Sequence, residues 1–81
     1  MAFAYILIKC KTSFENQIIE KLLQIKEVKD VKGIFGEYDI FVKLETDSQQ
    51  KIEEIITKKI RKIPYITTTN SLSPTTSDDQ I

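Results

Sequence analysis

Along residues 3–10, alternate positions divide into two sets, and both sets are apolar up to Ile8. One face carries Phe3, Tyr5 and Leu7, and the other carries Ala4, Ile6 and Ile8. Successive side chains of a strand point to opposite faces, so this pattern predicts a strand that is covered on both sides.

Two later segments have apolar residues at helical spacing. The first helix is predicted at about 13–25, where Thr12-Ser13-Phe14-Glu15 has the spacing of a capping box. Its predicted core face consists of Phe14, Ile18, Leu22 and Ile25. The second helix is predicted to follow the capping oxygens of Thr46-Asp47-Ser48 and to end before Pro64. Its predicted core face consists of Ile52, Ile55, Ile56, Ile60 and Ile63.

Three more strands are predicted over residues 28–35, 39–45 and 66–72, the last from its content of threonine and isoleucine. Gly36 opens the connection between the second and third strands. A two-residue turn of type II′ needs a positive φ at its first central position, which glycine supplies. The second and third strands are therefore predicted to be antiparallel neighbours joined by such a turn.

The order strand-helix-strand-strand-helix-strand predicts an α+β fold of the ferredoxin-like βαββαβ type, a four-stranded antiparallel sheet with two helices on one face. The other sheet face then exposes apolar residues, namely Phe3, Tyr5, Leu7 and Phe41. A patch of this kind marks a binding surface. We expect the sheets of two chains to pack together as a dimeric α/β barrel. The predicted domain spans residues 1–74, followed by a disordered polar tail over 75–81.

The charge pattern argues against binding to nucleic acid or membrane. Twelve Lys+Arg balance twelve Asp+Glu, so no overall field favours phosphate contacts. The one basic cluster, residues 58–62, suits a helix C-terminus.

The apolar run from Phe3 to Ile8 is too short to span a bilayer. A single thiol, Cys10, in a lysine-rich chain favours a cytoplasmic protein.

Catalytic and cofactor signals are missing from the sequence. The chain has no histidine, which removes the commonest general base and makes a metal site improbable with one thiol. Its two glycines form neither a Walker loop nor a dinucleotide-binding motif. We therefore expect a protein that is not an enzyme and that has no cofactor or metal.

Two segments carry candidate binding chemistry. Asp39 stands at the start of a strand, where it either bonds turn amides of the hairpin or offers a carboxylate to a ligand ammonium group beside Tyr38. In the last strand, alternation places Thr69 and Ser71 on one face and Asn70 on the other. This threonine-rich run is either an edge strand of high β-propensity or a line of hydroxyls for a polar ligand.

At these two places the sequence resembles the effector-binding (RAM) domain of Lrp/AsnC transcriptional regulators. The resemblance rests on Phe35-Gly36-Glu37-Tyr38-Asp39-Ile40, on Lys59-Ile60-Arg61-Lys62-Ile63-Pro64 and on Thr69-x-Ser71, and it extends over about residues 2–73. Carried over by position, the ligand-binding residues are Gly36, Tyr38, Asp39, Thr69 and Ser71. Departures from the family pattern are Tyr65 in place of glycine, the polar Asn70 and Ser71, and Ser73-Pro74.

The resemblance implies a small effector, usually an amino acid, bound between dimers that assemble into rings such as an octamer. Since this chain starts at the first strand, it is similar to stand-alone members without a DNA-binding domain, which modulate transcription alone or with a full-length Lrp/AsnC regulator. Two other functions remain open: an oligomerising subunit with no ligand, and a small dimeric α/β-barrel enzyme. An amino-acid regulatory domain of the ACT type shares the fold, but the Gly-x-Tyr-Asp turn favours the Lrp type.

Overall fold

The computed structural model describes residues 1–72, and these form one sheet with two helices. In chain order the elements are β1 (Ala2–Cys10), α1 (Glu15–Leu23), β2 (Val28–Gly33), β3 (Ile40–Thr46), α2 (Gln49–Ile55, continued by a π-helical turn Ile56–Ile60) and β4 (Ile66–Leu72). The sheet order is β2-β3-β1-β4, and every neighbouring pair is antiparallel. The predicted ferredoxin-like βαββαβ fold is confirmed. The predicted tail, 75–81, lies outside the described residues, and the domain limit at 74 stays a prediction.

The two faces of the sheet differ as the alternation predicts. The side chains facing the helices are fully buried and consist of Ala4, Ile6, Ile8, Ile40, Val42 and Leu44. They form one core with residues of both helices, among them Ile18, Leu22, Ile52 and Ile60. Each buried isoleucine, leucine or valine side chain stabilises the fold by roughly 1.5–3 kcal/mol relative to an exposed one.

The opposite face, which we call the open face, carries half-buried aromatic and aliphatic residues. Its centre consists of Phe3, Tyr5, Leu7 and Phe41. The rings of Tyr5 and Phe41 stack across β1 and β3, with centroids 5.7 Å apart. The Lys43 ammonium group lies 5.5 Å from the centre of the Phe3 ring. Both helices of the described range pack against the other face, so neither covers these residues.

Helix α2 begins as predicted, because the Ser48 hydroxyl accepts a hydrogen bond from the Lys51 amide at 3.2 Å. Its predicted core face is also confirmed: Ile52, Ile55, Ile56, Ile60 and Ile63 are buried. The last turn widens to a π-helix over Ile56–Ile60, where the Arg61 amide donates to the Ile56 carbonyl at 2.9 Å.

Helix α1 is shorter than the predicted 13–25, and the predicted capping box does not form. Ser13 has a φ of 79°, which lies in the left-handed region, and Phe14 occupies the capping position without any side-chain hydrogen bond. A local backbone hydrogen bond from the Phe14 amide to the Lys11 carbonyl, 3.2 Å, replaces it. The tight turn places the Phe14 ring against Tyr65, so a contact distant in sequence outweighs the capping pattern.

The two-residue turn predicted at Gly36 is wrong. Strand β2 ends at Gly33 and β3 begins at Ile40, so the connection is longer than the pattern indicated. It is closed by a hydrogen bond from the Ile34 amide to the Asp39 carbonyl, 3.0 Å. Gly36 has a φ of +122°, a conformation that side chains oppose, so the need for glycine holds although the turn differs.

Candidate functional site

Asp39 is held at the junction of β1 and β3 by its backbone and its side chain. The Asp39 amide donates to the Ile8 carbonyl at 2.8 Å. Its carboxylate oxygen Oδ2 accepts from the Cys10 amide at 3.0 Å. The Cys10 thiol also forms a hydrogen bond with this carboxylate. The carboxylate is therefore fixed in position at the end of β1.

This geometry separates the two interpretations of Asp39. The carboxylate does bond a backbone amide, but the amide belongs to Cys10 at the end of β1 and not to the hairpin turn. The sequence could not indicate this partner, since it depends on the register that brings the end of β1 beside the start of β3. An ionised carboxylate has about four acceptor sites, so these bonds leave room for a ligand contact.

The environment of the Cys10 thiol, which includes the negative charge of Asp39, changes the pKa of this thiol. Its pKa is raised above the ordinary value of 9.0, first by burial and then by the charges of Asp39 and Glu15, with a hydrogen bond to Asp39 adding to them. A raised pKa keeps the thiol protonated and poorly nucleophilic at neutral pH. The raised pKa of Cys10 therefore indicates negative charge nearby, and it makes the thiol unsuited to nucleophilic catalysis.

Tyr38 joins the hairpin to the last strand. Its hydroxyl accepts a hydrogen bond from the Asn70 side-chain amide at 3.2 Å. Asn70 pairs with Leu7, so it lies on the open face of the sheet. Asn70 was not among the predicted site residues, although the alternation of the last strand had separated it from Thr69 and Ser71.

Thr69 and Ser71 lie on the other side of β4. They pair with Ile8 and Ile6, whose side chains are buried on the helix side of the sheet. Thr69 is half-buried and Ser71 is exposed. Since β1 separates β3 from β4, one chain does not bring these two hydroxyls to the Asp39 carboxylate. The predicted site residues thus fall into two groups within the single chain.

Two clefts are each lined by one predicted site residue, Asp39 in the first and Thr69 in the second, whereas Tyr38 and Ser71 line neither. The first, about 390 Å³, which we call the hairpin cleft, is lined by Glu15, Asn16, Ile19, Gly33, Ile34, Phe35 and Asp39. The second, about 340 Å³, is lined by Arg61, Ile66, Thr67, Thr68 and Thr69. Both volumes suit a small metabolite. Gly36 lines neither cleft.

Phe35 is a feature that the sequence reasoning used only as part of the motif. Its side chain is fully exposed, at 105% of the reference area, in the hairpin loop beside Asp39. The same residue lines the hairpin cleft, next to Ile34. The hairpin cleft therefore has an apolar wall as well as a carboxylate.

Searches for two other kinds of feature were negative within the part of the chain that the structure describes. No group of three or more histidine, cysteine, aspartate or glutamate residues is placed to hold a metal ion there. None of the helices described is long and apolar enough to cross a membrane.

The sequence and the fold were compared with known proteins. The family model described as the Lrp/AsnC ligand binding domain matches residues 3–73. Among curated proteins, no sequence matches this chain significantly.

Solved structures with the same fold include two of similar size. FFRP-DM1 is 40% identical, with 91% of this chain and 99% of that chain covered and a TM-score of 0.87. The hypothetical protein PHS023 from Pyrococcus horikoshii is 38% identical, with coverages of 96% and 94% and a TM-score of 0.88. The transcriptional regulator NMB0573 from Neisseria meningitidis, solved as an L-Met complex, has a TM-score of 0.84 at 10% identity. The match covers 95% of this chain but 51% of that regulator, and it shows the fold alone.

Proposed function

This chain belongs to the Lrp/AsnC ligand-binding domain family, and on that basis we propose that it binds an amino-acid effector without chemical conversion and modulates transcription. It acts as an assembly of its own copies or together with a full-length Lrp/AsnC regulator that supplies the contact with DNA. The observation that carries the proposal is the Asp39 carboxylate, which is fixed by the Cys10 amide and lines a cleft of about 390 Å³.

In the proposed complex, Asp39 accepts a hydrogen bond from the α-ammonium group of the effector. A charge-assisted bond of this type is about twice as strong as a neutral one, and more so where water is excluded. Tyr38 and Gly36 hold the loop in place. The L-Met complex of the Neisseria regulator supports an amino acid as the ligand class, because that protein has the same fold.

Thr69 and Ser71 enter this site from a neighbouring subunit. Both lie on edge strand β4, away from the Asp39 of their own chain, so their hydroxyls are free to meet the hairpin of another. A hydroxyl donates well to an effector carboxylate. The ligand then bridges subunits, and its binding is coupled to assembly.

The assembly itself is proposed to start from the open face. Packing two copies through Phe3, Tyr5, Leu7 and Phe41 removes these half-buried apolar side chains from water. These dimers further associate into a ring such as an octamer. A cytoplasmic location fits this function and stays a prediction.

The test is calorimetry of the assembled full chain with each of the twenty amino acids. We expect heat for a small subset, lost in the variant Asp39→Asn and retained in Asp47→Asn, an exposed aspartate remote from the hairpin. No heat at millimolar ligand, from a folded oligomer, would rule the proposal out.

A second function is favoured by one observation: Asp39 already has a structural partner in the Cys10 amide. In that case the chain is an oligomerising subunit with no effector. Light scattering would give the same mass, but no amino acid would raise the melting temperature, since stabilisation requires binding to the folded state.

A further inference from the structure

The hairpin cleft has an unbalanced charge. Two carboxylates, Glu15 and Asp39, are among its lining residues, and no lysine or arginine is. Neither carboxylate forms an ion pair with any residue in the described range, 1–72; the salt bridges found there involve other residues. The remaining polar side chain of the lining, Asn16, carries no net charge.

The two negative charges act at the same place. Both Glu15 and Asp39 raise the pKa of the Cys10 thiol through their charges, after the larger effect of burial. Asp39 is bonded to Cys10 directly, whereas Glu15 approaches from the first turn of α1. Their fields therefore overlap at this end of the sheet, and they add for any charged group nearby.

The rest of the lining is apolar. Ile19 comes from α1, and Ile34 and Phe35 come from the hairpin loop. Together they suit a chain of methylene groups, and the exposed Phe35 ring offers a face to a cation. A cleft with apolar walls and carboxylates at separate positions fits a ligand with a hydrocarbon chain and more than one positive group.

We propose that the effector of the hairpin cleft is a basic amino acid, of the lysine or arginine class. This inference rests on the proposed function, and it further specifies that the side chain of the bound amino acid is positively charged. Asp39 binds one cationic group of the ligand and Glu15 binds the other, while Ile19, Ile34 and Phe35 contact the methylene chain between them. Acidic amino acids are excluded by repulsion from the same two carboxylates.

Calorimetry of the assembled full chain at low salt tests this inference with L-lysine, L-arginine, L-norleucine and L-glutamate. Norleucine has a side chain of similar length to lysine without the ammonium group. We expect lysine or arginine to bind at least about tenfold more tightly than norleucine, the difference typical of one charge-assisted contact. Glutamate should give no heat.

The variant Glu15→Gln should remove about tenfold of the preference for the basic ligand over norleucine. Glu20→Gln, an exposed position on the same helix, is the matched control and should keep the preference. Circular dichroism verifies that both variants are folded.

Two results would overturn the inference in different ways. If norleucine or glutamate binds as tightly as lysine, and Asp39→Asn removes that binding, the charge assignment is wrong and the proposed effector function stands. If none of the amino acids binds, the proposed function fails and this inference fails with it.

Discussion

The rings of Phe14 and Tyr65 stack with centroids 3.8 Å apart and planes inclined by 15°. The contact joins the turn after β1 to the residue before β4, and the Lys11 amide strengthens it by donating to the Tyr65 carbonyl at 3.0 Å. Tyr65 has a φ of 74°, in the left-handed region where non-glycine residues are disfavoured by roughly 1–2 kcal/mol. The stack therefore holds Tyr65 in a conformation that its own backbone opposes.

The first prediction separates stacking from backbone strain at Tyr65. Tyr65→Ala loses the ring contact and keeps the strain, so it should lower the free energy of unfolding by about 2 kcal/mol. Tyr65→Gly loses the same contact and relieves the strain, so it should cost about 1 kcal/mol less than alanine. Urea unfolding of both variants measures the difference.

A double-mutant cycle with Phe14→Ala controls this prediction. After Phe14→Ala, the cost of Tyr65→Ala should fall by about 1 kcal/mol, since the stacking partner is already absent. Equal stability of the alanine and glycine variants at position 65 would contradict the role of the left-handed backbone.

The Tyr65 contact also shows where sequence reasoning reaches its limit. The resemblance identified Tyr65 as a departure from a glycine position, and its positive φ gives the physical reason for that glycine. The pattern around Thr12 and Ser13 predicted a capping box by purely local rules. A ring contact between residues far apart in sequence changed that turn, and local rules contain no information on such contacts.

The sheet was more predictable than the turn before α1, because alternate residues of a strand point to opposite faces and their polarity indicates which face is buried. Ala4, Ile6 and Ile8 are fully buried, and Phe3, Tyr5 and Leu7 lie on the open face, as their positions predicted.

The candidate site was predictable only in part. Its motif residues could be named, but the Cys10 partner of Asp39 and the Asn70 partner of Tyr38 depend on strand register.

The second prediction concerns the pH dependence of Cys10, the one cysteine of the chain. Burial, then Asp39 and Glu15, raise the pKa of its thiol in the folded state above 9.0. The unfolded chain therefore loses this proton first, so the thiol favours folding below pH 9.0 and this contribution is lost as the pH rises through the folded-state pKa. Stability should fall with rising pH in that window.

The rate of Cys10 reaction with a neutral thiol reagent, followed against pH, checks the cause. Asp39→Asn should lower the pKa of the thiol, because it removes a neighbouring negative charge, and Glu15→Gln should lower it too. Glu20→Gln should leave the profile unchanged. An unaltered profile in all three variants would leave burial as the sole cause.

The third prediction tests the cap of α2. Ser48→Ala removes the hydroxyl that accepts from the Lys51 amide and should lower the free energy of unfolding by about 1 kcal/mol. Ser48→Asp preserves an acceptor and should stay within about 0.5 kcal/mol of the parent protein. Equal losses in the two variants, measured by urea unfolding, would show that the hydrogen bond does not stabilise this helix.

The fourth prediction addresses the open face and the proposed dimer. Leu7 lies at the centre of this face, between Phe41 on β3 and Asn70 on β4. In a sheet-to-sheet dimer, Leu7→Glu would bury an unpaired charge, which costs several kcal/mol, so the assembly should dissociate at micromolar concentration. Leu23→Glu is the matched control, because Leu23 is 62% exposed on α1 and lies outside the sheet. Multi-angle light scattering should give a reduced mass for the first variant and the parental mass for the second. If Leu7→Glu keeps the parental mass while Leu23→Glu loses it, the chains associate through α1 and the open face needs another partner.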